Sequence, residues 1–116
     1  MKLLLPLMFI CFFSSCYYDN EEELYPNAIP CDTAAVTFSD NIEPIISASC
    51  AIPSCHVPIG SANGVFQSYS GIKSKVDNGS FMDRVIIQQD MPPNGDLSSC
   101  EIEQLKIWID EGAPNN

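Results

Sequence analysis

Apolar positions along this chain gather into five short groups, and polar or proline- and glycine-containing stretches separate them. The first is a continuous run from Leu3 to Phe13. The other four carry helical spacing, with apolar residues recurring three or four positions apart on one face. Ile42, Ile45 and Ile46 share a face with Ser49 and lead to Cys50. Asp40 followed three residues later by Glu43 reads as a capping box, and Pro44 is tolerated because it falls in the first turn. A polar connection, Gly60 to Gly64, reads as a surface loop. The spacing of Ile72 and Val76 predicts a second helix over 70–77, stopped by Asn78-Gly79. Ser80 is positioned to cap a third, through Phe81, Met82, Val85 and Ile86, whose apolar side chains would line a pocket. The last helix has the clearest pattern. Ser98 and Glu101 form a second capping box, Ile102, Leu105, Trp108 and Ile109 mark one face widened by Ile107, and Gly112 and Pro114 end it. The fold class expected is all-α, with three to five short helices.

The Leu3–Phe13 run lies outside that domain. Lys2, the apolar run and then Ser14-Ser15-Cys16 give the charged, hydrophobic and small-residue regions of a secretory signal, and the run is too short to span a bilayer stably. Small residues directly before a cysteine resemble a bacterial lipoprotein cleavage site. Residues 1–15 are then the signal peptide, Cys16 the lipidated first residue, 16–35 an acidic flexible tether and 36–116 the folded domain. Glu21, Glu22 and Glu23 just after the lipid position resemble the export signals of surface-exposed lipoproteins of the Bacteroidetes group.

Composition narrows the function. The chain has 116 residues, 46% apolar and 17% charged, which suits one small globular domain. Without residues 1–15 it carries fifteen Asp and Glu against four Lys and Arg, a net charge of −11. Such a surface repels phosphate backbones, which disfavours nucleic-acid binding, and it would steer a basic partner into contact. One histidine and no activated serine or thiol constellation leave nucleophilic catalysis without a basis, and no glycine-rich phosphate loop is present.

Candidate chemistry centres on Cys50-Ala51-Ile52-Pro53-Ser54-Cys55-His56. Covalent haem attachment needs two thiols to add across the porphyrin vinyl groups and an imidazole beside one of them to reach the iron. The usual signature is C-x-x-C-H. Here four residues separate the cysteines, so two must bulge out, and Pro53 suits a bulge. Two other readings fit the same string: a short Cys50–Cys55 disulfide loop, or a zinc site completed by Cys31 and Cys100. Under the haem reading every thiol is placed. Cys11 leaves with the signal, Cys16 takes lipid, and Cys31 and Cys100 remain as a pair that an oxidising compartment would join. A second string, Gln89-Asp90-Met91-Pro92-Pro93-Asn94-Gly95, is a stiffened loop. A thioether on a stiff loop is what a sixth iron ligand requires, and His/Met ligation raises the reduction potential. Met82, on the helix before, is the alternative.

Together the helix from Phe38 to Ile46, the Cys-Cys-His string, Met91-Pro92-Pro93 and the closing helix Leu105 to Pro114 resemble the class I cytochrome c family, in its small single-haem domains of bacterial envelope lipoproteins. The resemblance spans about Val36 to Pro114. It implies a small cytochrome c-like fold around one covalent haem c, thioether bonds at Cys50 and Cys55, His56 as proximal and Met91 as distal ligand. It also implies a membrane-anchored electron carrier, not an enzyme, working with redox partners of the cell envelope, free or as a subunit of a larger oxidoreductase. Arg84 or the Trp108 indole N–H are candidate partners for the haem propionates. Two other classes remain open: a cofactor-free interaction lipoprotein held by disulfides, and a structural zinc lipoprotein using Cys31, Cys50, Cys55 and Cys100 or His56.

Overall fold

Phe38 opens the first helix of the computed structural model, which describes residues 30–58, 64–95 and 97–116. The expected signal segment, Cys16 and the tether up to residue 29 lie outside the described residues, as does the expected surface loop apart from Gly64. The helix starts earlier than the Asp40/Glu43 pairing suggests. A π-helical segment, Phe38–Ile42, runs directly into α1, Glu43–Ser49. Its cap is Thr37, whose hydroxyl accepts the Asp40 amide at 3.2 Å, while Asn41 Oδ1 accepts the Thr37 amide at 2.9 Å. The earlier start brings Phe38 into helical conformation and buries it. Pro44 has no N–H to give the Asp40 carbonyl, so a regular α register cannot pass this point, and the widened turn lies just ahead of it. Ile42, Ile45 and Ile46 are buried, as their spacing predicts, and Cys50 caps the end with its amide on the Ile46 carbonyl at 2.9 Å.

The second helix, α2, is Tyr69–Asp77, with Ser68 at its cap. Gly71 in its first turn is there for space. A Cβ on Gly71 would stand 1.9 Å from the Val65 carbonyl oxygen, a backbone atom that cannot move aside alone. Next comes a second π-helical segment, Met82–Ile87. Ser80 does not cap it. Its hydroxyl turns back to Asn78 Oδ1 at 2.6 Å, and the same oxygen accepts the Ser80 amide at 3.0 Å, so Asn78 holds this corner. The last helix, α3, is Ser99–Asp110 and has the expected capping box, with Glu101 N on Ser98 Oγ at 3.2 Å and Ser98 N on Glu101 Oε2 at 2.7 Å.

All regular structure among the described residues is helical, which places the unit Cys31–Asn116 in the all-α class. Its core joins Val36, Phe38, Ile42 and Ile46 to Ile72, Phe81, Val85, Leu105 and the fully buried Trp108. Cys31 and Cys100 form the expected disulfide across a separation of 69 residues. Closing so long a loop removes about 4 kcal/mol of unfolded-chain entropy. None of the described helices is long and apolar enough to cross a membrane.

Replacing Gly71 with Ala should lower stability by about 1–3 kcal/mol, because the added methyl overpacks the backbone of Val65. Thermal unfolding followed by circular dichroism checks this; an unchanged midpoint would show that the contact relaxes freely.

Candidate functional site

The end of α1 delivers Cys50, and the chain then loops out and returns. The His56 amide donates to the Cys50 carbonyl at 3.1 Å and the Cys55 amide to the Ile52 carbonyl at 3.0 Å. Ile52, Pro53 and Ser54 bulge into solvent between them, and Ser54 absorbs the reversal at φ 69°. The two extra residues of the spacer therefore leave the Cys55-His56 step next to the helix end.

His56 is held on three sides. Its Nδ1 lies 3.0 Å from the Gly64 carbonyl, which can only accept, so Nδ1 carries a proton, and in the neutral ring Nε2 is the nitrogen with the lone pair. The Phe66 ring stacks on the imidazole at 4.0 Å, with 6° between the planes. The Phe66 amide closes the loop by donating to the His56 carbonyl at 2.9 Å. Gly64 suits this role because it adopts φ +109°, and a Cβ there would meet Lys75 Cε at 3.0 Å. Fixing one imidazole nitrogen to orient the other is how proteins present histidine to a metal.

Met91 comes to the same place from the opposite part of the chain. His56, Phe66, Phe81, Val85 and Met91 line one pocket of about 220 Å³, with Lys75, Ser80 and Arg84 among its polar lining. Of the four apolar residues expected to line a pocket, Phe81 and Val85 do, whereas Met82 and Ile86 are not among the lining. Between the two candidate methionines, Met91 is among the lining residues and Met82 is not. Enclosed sites for larger ligands usually span roughly 300–1,000 Å³, so a ligand of porphyrin size would stand partly outside. The pocket's own donors, an imidazole and a thioether, suit such a group, whereas Cys50 and Cys55 do not line the pocket and precede it in the string that ends at His56.

Cys50 and Cys55 are both unpaired, Cys50 buried and Cys55 half-buried. Burial pushes the Cys50 thiol up to about 11, and the charge of Cys55 adds to the effect. Cys50 is therefore protonated at neutral pH and unreactive until drawn out or opened. The zinc arrangement is not assembled, since Cys31 and Cys100 are spent on each other, and the described residues hold no cluster of three or more His, Cys, Asp or Glu able to bind a metal.

Trp108 is a core residue and does not reach the pocket. Its indole N–H donates to the Pro114 carbonyl at 2.8 Å, and the ring is fully buried. Arg84 does line the pocket, with its Nε on Asp90 Oδ1 at 2.7 Å. Sequence reasoning missed Gly64, Phe66, Lys75 and Ser80. Only Phe66 carried a usable signal, as the sole aromatic between His56 and Tyr69 in a polar connection.

In the protein as folded, a maleimide should label Cys55 well before Cys50 at pH 7, read by peptide mass spectrometry. The unfolded Cys50 thiol titrates near 9.0 and the folded one near 11, so the unfolded chain loses its proton first as pH rises. Stability then falls between those values by on the order of 2 kcal/mol, and Cys50→Ala should remove that slope from urea unfolding curves.

Comparison with family models, with curated proteins and with solved structures finds no match to this chain, so the reading of this pocket stands on its own residues.

Proposed function

We propose that this chain is a c-type cytochrome that carries single electrons in a bacterial cell envelope. Cys50 and Cys55 provide the thioether positions, His56 the proximal ligand and Met91 the distal one. The observation that carries this reading is the convergence of His56 and Met91 on one pocket, with two unpaired thiols in the string that ends at His56. A haem c in that pocket supplies a reversible ferric/ferrous couple. The protein's part is to fix both ligands and exclude other chemistry. The Gly64 carbonyl and Phe66 hold the imidazole, which leaves little freedom for rotation about its bonds. Met91 bound to the iron would leave no site for oxygen or peroxide, which would favour electron transfer over catalysis.

The remaining features follow the same reading. The Cys31–Cys100 disulfide suits an oxidising compartment. Lipid on Cys16 would anchor the domain at the outer membrane, and the acidic surface would attract a basic redox partner. The cofactor-free alternative shares the Cys31–Cys100 bond but also needs Cys50 joined to Cys55, and these two thiols are separate.

The test is the visible spectrum of the chain expressed with a cytochrome c maturation system, with denaturing electrophoresis stained for haem. A sharp reduced α band and staining on the polypeptide are expected. Met91→Ala should keep the stain, lose the methionine–iron charge-transfer band and lower the reduction potential. A colourless protein beside a matured control cytochrome overturns the reading, and thiol counting with zinc analysis then separates the two alternatives.

A further inference from the structure

Met91 sits in a loop, and loops do not hold a side chain at a fixed depth unless something pins their backbone. The second π-helical segment supplies that pin. Its widened register sends the Gln88 amide to the Asp83 carbonyl at 2.8 Å, where an α register would have used Arg84. The Arg84 carbonyl is released for the chain that follows. Gln89 adopts φ 52° and turns the chain back, so the Asp90 and Met91 amides both reach the Arg84 carbonyl, at 3.0 and 3.3 Å. The Arg84 side chain closes the same loop from outside, with Nε on Asp90 Oδ1 at 2.7 Å, and Gln88 Nε2 ties to Asp83 Oδ2 at 2.7 Å.

We propose that Arg84 is the positioning residue for Met91, gripping Asp90 and the Met91 backbone at once so that Met91 stays on the pocket it shares with His56. This rests on the reading of Met91 as distal ligand. An exposed ion pair adds little to global stability. Here it is the third tie on two adjacent residues, so its loss is felt in local opening of the loop and not in the helices. Arg84 needs no contact with the occupant for this role.

The experiment uses the full chain as purified and compares wild type, Arg84→Met, Asp90→Asn, the charge reversals Arg84→Asp and Asp90→Arg, and the two reversals combined. Amide hydrogen exchange at Asp90 and Met91 should quicken about fivefold in each single variant. Exchange at Leu105 and Trp108 in α3 should not change, and the combined reversal should return the loop to near its original rate. In coloured preparations the methionine–iron band should weaken in the single variants and recover in the combined one, with covalent haem staining equal throughout. Unchanged loop exchange in the single variants, or a combined reversal no better than either alone, overturns the proposal. A colourless protein defeats the cytochrome reading, and the exchange result still decides whether Arg84 holds the loop.

Discussion

Phe38 is the point at which the three ends of this domain meet. Its ring stands edge-on to Tyr69 at 5.1 Å and tilted against Trp108 at 5.7 Å, which joins the first helix to α2 and α3. The polar atoms of the same residues secure the C-terminal tail. The Tyr69 hydroxyl donates to the Ala113 carbonyl at 2.7 Å, the Trp108 indole to Pro114, and the Phe38 amide to Asn116 Oδ1 at 2.8 Å. Aromatic side chains do this well because they bury a large apolar area and still offer a polar end that must find a partner. Removing any one of the three rings would leave the others facing a gap, and removing Tyr69 or Trp108 would also strand a tail carbonyl.

A domain this small buries too little apolar surface to be generous with stability. The aromatic junction and the Cys31–Cys100 disulfide therefore carry much of the frame. The pocket residues draw on that frame only in part. Phe81 and Val85 belong to the core, whereas His56 and Met91 stand on connections held by their own short-range hydrogen bonds, one set from Gly64 and Phe66 and the other from Arg84. Such an arrangement orients His56 and Met91 independently of the helical packing. It also explains why both helical irregularities earn a place: one accommodates Pro44 ahead of the cysteine motif, and the other frees a carbonyl for the methionine loop.

Legibility in the sequence followed the range of the interaction. The α3 capping box was readable because Ser98 and Glu101 satisfy each other within a single turn. The start of the first helix was not, because Thr37 and Asp40 are both competent caps and the choice turned on burying Phe38 against residues far along the chain. Ser80 is the exception to that rule: it lost its cap role to a local competitor, Asn78, whose side-chain oxygen accepts both the Ser80 amide and hydroxyl. Trp108 could be read as core from its helical face or as a pocket donor from its N–H, and only the position of Pro114 decided between them.

By itself the sequence determined the helical segments and the joined cysteine and histidine of the Cys50–His56 string, and it offered the pairing of Cys31 with Cys100 as what remains once Cys50 and Cys55 are otherwise used. These depend on periodicity, local hydrogen bonding and chemistry within a few residues. The tertiary structure alone decided that Met91 and not Met82 shares a pocket with His56, that Gly64 fixes the imidazole, and that Arg84 holds the Met91 loop. The first depends on which connections the packed core brings together across two helical elements, and the other two are short-range hydrogen bonds in irregular connections, which no periodic pattern encodes.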